Sequence, residues 1–444
     1  MNCIGACAPV LFSWGRKPDA FDFQLCKNNG MSQQAQPELV RLSDLPLPVA
    51  LNVPARVRGL LAELLRGWRF KPWPGEACEP VLAMEMTPAG RFVVTGRWVP
   101  EVKDRSDVVD AACGFIAELI RAYVNEVPDR LCLHAAGAVC GGRLLVFLGT
   151  RRAGKSVLCA AMAAAGMRLA GDDILMIDAA DGSAVAGGFS PRLRLPLPES
   201  LAPATRAFID AHSGATGRQY AYLDLGTDLI ASKDERFDIG AFIILDRKQS
   251  APTVLRPIAK SASLSAVIWQ NFARHAPSAD ILDRLYSLVE QSGTCILEYS
   301  AAEEAVQLLQ DRFAIWPADG PARVFADAAA AHAGEAEAPG PAVPAAAETP
   351  ASGPPPTCRF RRRSDVAERE IEGRFFLADN EGGTITVLNT MAAAIWRALA
   401  EPATAAELVE LADLAFPDTG RAVIQADVAA VLRDFVAEGL IIEP

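Results

Sequence analysis

The chain is short of positive charge, of histidine and of paired cysteines, and each shortage removes a class of function. Its 43 Lys and Arg stand against 54 Asp and Glu, a formal charge of −11. Gripping nucleic acid takes a basic face that displaces counterions from phosphates, so no nucleic-acid partner is expected. Four histidines and ten cysteines are present, and the cysteines stand singly without a C-x-x-C pair. That spacing offers neither a zinc site nor a disulfide framework. It favours thiols kept reduced in the cytoplasm. No apolar run reaches the roughly 20 residues that cross a bilayer, so no membrane partner is expected either. Internal repeats are missing too.

What is there is 444 residues, 51% hydrophobic and 22% charged, which is too long for one ordinary core. Residues 1–39 read as a flexible extension without assigned function. "MNCIGACAPVLFSW" lacks the basic start of a secretory signal, and Met31 opens a more ordinary polar start. Residues 40–125 read as an α+β cap, with a short helix in "LNVPARVRGLLAELLRGW", strands "PVLAMEMT" and "RFVVTGRWV" around the turn "PAG", and a long helical stripe in "SDVVDAACGFIAELIRAYV". Residues 126–325 carry short apolar runs typical of buried strands, "LCLHAAGAVC", "RLLVFLGT", "MRLAGDDILMID" and "FDIGAFIILD", followed by three helical stretches. Residues 326–358 are Ala/Pro/Gly-rich and bury too little to fold, which predicts a semi-stiff spacer before residues 359–444, a separate module that could sit tens of ångströms away.

The loop "GTRRAGKS" matches the whole G-x-x-x-x-G-K-[ST] pattern between an apolar strand and an alanine-rich helix. Gly149 and Gly154 let the backbone of Thr150, Arg151, Arg152 and Ala153 turn its N–H groups toward phosphates. The helix that follows presents its positive end, Lys155 reaches the β- and γ-phosphates, and Ser156 holds Mg²⁺. ATP and Mg²⁺ are therefore the expected cofactors. Seventeen residues beyond Lys155 stand Asp172 and Asp173, two carboxylates able to divide metal binding and proton acceptance between them. Asp pairs are also common in solvated turns, and only the complete loop upstream argues against that reading.

"LCLHAAGAV", "GTRRAGKS" and "LAGDD", in this order and spacing, resemble the HPr kinase/phosphorylase family and its HPr-kinase-related relatives. The resemblance implies an α/β, PEP-carboxykinase-like P-loop kinase body. It also implies Asp172 as base at a serine hydroxyl, Asp173 as its polar or metal-binding neighbour, and His134, fifteen positions before Gly149, as a third active-site group. A homo-oligomer is implied only weakly, given the added cap and tail. The family's "E-x-R-G-x-G"-like segment is missing after the Asp pair, where "RQYAYLDLGTDLIASKDERFDIG" stands instead, which puts the reverse reaction and HPr itself as substrate in doubt. Arg192 and Arg194 in "FSPRLRLPLPES" read as phosphate contacts or as solvated loop charges, the second being favoured.

In the tail, "EREIEGRFFLA" and "GTITVLN" flank the turn "DNEGG" as a hairpin, and three helices follow, one opened by a Thr404/Glu407 capping box and the last closed by Gly439. The segments "GGTITVLNT", "TAAEL" and "DVAAVLRDFVAEGLI" resemble the PqqD family, over essentially residues 360–444. The resemblance implies a winged-helix-like module that binds the leader of a ribosomal precursor peptide as an added strand. Thr384, Ile385, Thr386, Val387 and Leu388 on one side, and Val428, Leu432 and Phe435 on the other, would flank that groove. From Ser364 onward 15 Asp/Glu face 5 Arg, which suits a leader carrying Lys or Arg and argues against DNA.

Joined, these readings predict an ATP-dependent peptide kinase that phosphorylates serine on a captured precursor. Relatives of the kinase type in lasso-peptide gene clusters make that substrate class plausible by analogy. Two alternatives stand beside it: an HPr-kinase-like protein serine kinase with a docking domain, and a nucleotide-binding peptide chaperone without transfer.

Overall fold

The computed structural model describes residues 10–12, 38–43, 45–76, 78–127, 129–150, 153–273, 276–324, 358–379 and 383–442. It is a mixed α/β protein built around a six-stranded sheet in the order Leu169–Gly171, Ala136–Cys140, Arg143–Leu148, Ile239–Arg247, Gly293–Tyr299, Val254–Pro257. Three of the four inner strands, Arg143–Leu148, Ile239–Arg247 and Gly293–Tyr299, are parallel. Their near-continuous apolar sequences reflect burial on both faces. Leu144, Val146 and Leu148 enter one core, and Leu145 and Phe147 the other, as the period of two demands. Helices Lys155–Ala164 and Ala302–Phe313 cover one face, while Lys260–Gln270 and Ser278–Gln291 cover the other.

Two runs that read as single strands are each broken in two, and the breaks place the site. "LCLHAAGAVC" becomes Arg130–Leu133 and Ala136–Cys140; "MRLAGDDILMID" becomes Leu169–Gly171 and Leu175–Asp178. Ala136–Cys140 pairs with Leu169–Gly171 in the central sheet, and Arg130–Leu133 pairs with Leu175–Asp178 in a second, four-stranded sheet. The two segments therefore change sheets side by side. His134 sits at one crossing and Asp172–Asp173 at the other.

Residues 38–105 form another six-stranded sheet, in which Leu82–Met86 and Phe92–Gly96 make the hairpin read from the sequence. The helix Val108–Glu126 packs on it, opened by Asp107, whose side chain accepts from the Val109 and Asp110 amides.

Three expectations change in the remainder. "EREIEGRFFLA" is not one strand but a hairpin, Ala367–Ile371 against Arg374–Ala378. Glu372 and Gly373 both take positive φ, 51° and 78°, as a two-residue hairpin turn requires. The residues of "DNEGG" from 380 to 382, and the spacer from 325 to 357, lie outside the described residues. The tail is not held at a distance. Alternate residues of its central strand face opposite ways: Phe375 and Leu377 pack on the tail's own helices, while Phe376 and Ala378 join the core of the body with Ile371, Ile385 and Val387. The Arg369 guanidinium pairs with Asp283 at 2.7 Å, the Ser261 amide donates to Glu372 at 3.0 Å, and the Ser278 hydroxyl donates to the Asp379 carbonyl. An apolar sheet face cannot be left in water, and the helix Ser278–Gln291 covers it.

The extension also contributes structure. Val10–Phe12 runs antiparallel beside Ile385–Val387, completing a sheet in the order Val10–Phe12, Ile385–Val387, Arg374–Ala378, Ala367–Ile371. A β-prone apolar triplet meeting an unpaired sheet edge explains why this part of residues 1–39 is ordered in a strand. Residues 1–9 and 13–37 lie outside the described residues.

Candidate active site and peptide edge

The glycine loop follows the strand Arg143–Leu148 and ends at the helix Lys155–Ala164, whose N-cap is Gly154. Gly154 has φ +93°, and a Cβ there would stand 2.8 Å from the Tyr299 hydroxyl. A Cβ on Gly149 would meet that of Ala153 at 2.8 Å, so neither position admits a side chain without movement. The Tyr299 hydroxyl donates to the Ala153 carbonyl at 3.2 Å and braces the turn. Lys155 is buried and folds back, its Nζ donating to the Gly149 carbonyl at 2.8 Å. Burial lowers its pKa, partly opposed by the nearby charge of Asp173. Arg151 and Arg152 lie outside the described residues.

A cavity of about 740 Å³ opens over this loop. Its wall includes His134, Thr150, Ser156, Asp173, Arg192, Tyr220, Arg247 and Gln270. The strand crossings bring His134 Nε2 within 2.8 Å of Asp173 Oδ1. Asp172 turns inward, only 5% exposed, where Oδ2 accepts from the Arg192 amide at 2.8 Å and the carboxylate accepts from the Ser156 hydroxyl.

Adjacent carboxylates in such a place cannot share one titration behaviour. Burial, and then the neighbouring charge of Asp173, push Asp172 up to about 7. Burial also acts on Asp173, but the His134 hydrogen bond and the Arg192 charge outweigh it and hold this carboxyl at about 2. One aspartate is thus firmly ionised, while the other is poised to take or release a proton near neutrality.

Arg192 is the residue that sequence reasoning misplaced. It is no solvated loop charge but opens the strand Arg192–Arg194, paired with Tyr220–Leu223. Its amide binds Asp172, its Nη2 binds Asp173 Oδ2 at 2.7 Å, its Nη1 reaches the Cys113 thiol, and its guanidinium lies 4.7 Å over the Tyr220 ring. Arg194 approaches the same ring at 5.6 Å. Gln270, Arg247 and Tyr299 were also missed, each brought in by a distant strand or helix end without a local motif.

Among the described residues no cluster of three His, Cys, Asp or Glu could hold a metal by itself. Ser156 and the Asp pair offer a hydroxyl and carboxylates, hard oxygen donors of the kind Mg²⁺ takes when substrate phosphates complete its shell.

In the tail, Ile385, Thr386, Val387 and Leu388 are buried, and Thr384 is partly so. Val428, Leu432 and Phe435 are at most 1% exposed and fill the core of the three-helix unit, Phe435 standing edge-on to Trp396. Their side chains cannot line a groove as well, so any groove here is bordered by the strand edge and other residues of that helix. The helix stops where Glu438 caps it and Gly439 takes φ 66°.

Among known proteins, the family model of coenzyme PQQ synthesis protein D (PqqD) matches residues 374–441. No curated protein sequence matches the chain. Of the solved structures, the HPr(Ser) kinase/phosphatase from Coxiella burnetii is similar over 41% of this chain and 93% of its own, at 13% identity and a TM-score of 0.21. No helix among the described residues is long and apolar enough to cross a membrane. The stretch 374–441 is accordingly a PqqD domain, docked on a mixed α/β body that carries the glycine loop and the aspartate pair.

Proposed function

We propose that the protein is a kinase that uses ATP and Mg²⁺ to phosphorylate a hydroxyl, serine by preference, on a ribosomally made precursor peptide held by its PqqD domain. The observation that carries this reading is the divided aspartate pair beside Lys155 and Ser156 at the mouth of the glycine loop. Transfer to a hydroxyl needs both an ionised group and a base matched to neutral pH, and the pair stands where the glycine loop would hold the phosphates.

In this reading the loop amides and the positive end of the helix Lys155–Ala164 receive the phosphates, with Lys155 turning from the Gly149 carbonyl toward them. Ser156 and Asp173 hold Mg²⁺, which when bound neutralises charge on the phosphates. Asp172 takes the acceptor proton as the hydroxyl oxygen bonds to phosphorus and the bond to ADP breaks. His134 and Arg192 keep Asp173 ionised and fixed. A peptide is presented through the PqqD sheet edge, where main-chain hydrogen bonds give affinity.

Position favours a second assignment within the same chemistry. Asp173 lines the cavity beside His134, whereas Asp172 bonds Ser156. With the roles exchanged, Asp173 meets the acceptor and Asp172 joins Ser156 at the metal. Substituting the metal-binding aspartate raises the Mg²⁺ concentration needed for half-activity; substituting the base lowers kcat at an unchanged Mg²⁺ requirement.

The test is incubation with γ-labelled ATP, Mg²⁺ and a candidate precursor peptide encoded beside the gene. Label on the peptide supports the kinase. Tight peptide binding without transfer refutes it and leaves a nucleotide-binding peptide chaperone. Transfer to a folded protein alone would make the tail a docking domain.

A further inference from the structure

The edge expected to capture peptide is already paired. Val10 stands opposite Val387, Leu11 opposite Thr386 and Phe12 opposite Ile385, while the other side of Ile385–Val387 pairs with Arg374–Ala378. Both faces of Ile385–Val387 are covered as well, with exposures of 0%, 1% and 4%. What this strand can offer a partner is therefore its one outer row of N–H and C=O groups, and the chain's own segment uses that row.

From this pairing we infer that the segment around Val10–Phe12 is a built-in occupant of the peptide edge, which an incoming precursor must displace. Competition with a precursor rests on the peptide-capture reading above; the occupancy itself rests on the strand pairing. Charge agrees with the assignment. The paired strand ends opposite Ile385, next to Thr384, whose hydroxyl bonds Glu438 with Asp379 and Asp434 nearby. In the sequence, Phe12 is followed by Ser13-Trp14-Gly15-Arg16-Lys17, so two cations come shortly after the strand. Basic residues after the strand also fit the leader carrying Lys or Arg that this acidic module was expected to suit. The segment thus doubles as a template for the precursor's recognition strand.

The experiment compares the full chain with a variant beginning at Met31 and uses a synthetic Ala8–Lys17 peptide as probe. In the variant, amides of Ile385–Val387 that face the outer edge lose protection from hydrogen exchange, and the probe restores it. The probe binds the variant at least about tenfold more tightly than the full chain, because the competent state is no longer masked. Neighbouring N–H groups of a strand point to opposite sides, so a probe with Val10→Pro and Leu11→Pro loses whichever donor faces the edge and fails to bind. Should the Met31 variant not fold, the same two prolines in the full chain serve in its place, with the same loss of protection expected.

Equal exchange in full chain and variants, or equal binding of the proline probe, overturns the occupancy. A candidate precursor that binds full chain and Met31 variant equally overturns the competition while leaving peptide capture standing. If the Ala8–Lys17 probe binds the variant and no candidate precursor does, it is the peptide-capture reading that fails, and the occupancy survives.

Discussion

With Asp172 as the base, the first assignment proposed above, the reaction turns on one side chain. Held up to about 7, it is half ionised near neutrality, so the transfer rate should rise with pH through about 7 and level off above it. Replacing it as Asp172→Asn should lower kcat by about 10²–10⁴-fold, read by label transfer at pH 8. The same change should raise the melting temperature at pH 8. The folded state keeps this carboxyl protonated up to about 7, whereas an unfolded chain releases the proton near its ordinary value of 3.8. Stability therefore falls as pH rises between those two values, and above about 7 the whole penalty is present. A neutral amide removes it, and each kcal/mol recovered is worth on the order of 1 °C in a chain of this length. Lower activity together with lower stability at pH 8 would instead mark the residue as structural. His134, Lys155 and the Asp pair were legible from sequence because their signals are local motifs or a family spacing. Arg192 was not, since a lone Arg-x-Arg says nothing of the aspartates twenty residues earlier that its strand will meet.

Among the elements, the loop and its helix depend most on one residue. A side chain at Gly154 faces both a left-handed φ and the Tyr299 hydroxyl. Gly154→Ala should therefore weaken ATP binding by calorimetry about five- to thirtyfold, for a backbone cost of roughly 1–2 kcal/mol. Far-ultraviolet circular dichroism should stay unchanged, because the central sheet does not rely on that turn. The main helices and the parallel strands could be read in advance from periodicity and apolar runs. The breaks inside "LCLHAAGAVC" and "MRLAGDDILMID" could not. A strand that leaves one sheet for another keeps its apolar character throughout, so composition carries no mark of the crossing. The Glu372-Gly373 turn had a weak signal, a glycine between two β-prone runs, masked by the richer "DNEGG" that follows.

In the whole molecule, the body and the PqqD domain share a core, so in the proposed reading capture and transfer would be mechanically one unit. Reversing a contact charge with Asp283→Arg should raise the KM for a precursor peptide with little change in kcat. Surface ion pairs are worth at most about 1 kcal/mol, so the rise should stay near fivefold or less. Combining it with Arg369→Asp should restore the parent KM. The spacer composition had suggested two independent modules; the apolar outer face of the tail sheet, which overrides it, was hidden because every residue of "FFLA" looks equally suited to the tail's own core.

The antiparallel strand Val10–Phe12 also has a direction. A peptide lying as it does runs its C-terminal end past Ile385 toward Asp379, whose carbonyl is held by Ser278. From Ser278 the chain leads back eight residues to Gln270 on the cavity wall, a reach of at most about 29 Å. In the peptide-kinase reading proposed above, an acceptor placed after the recognition strand extends on the Asp379 side, and a spacer of about nine extended residues is long enough for that reach. An acceptor placed before the strand would extend from the Val387 end instead. A synthetic substrate with the two parts in reversed order and the same spacer should bind as tightly and go unphosphorylated. The fold would then read the order of a message as well as its letters.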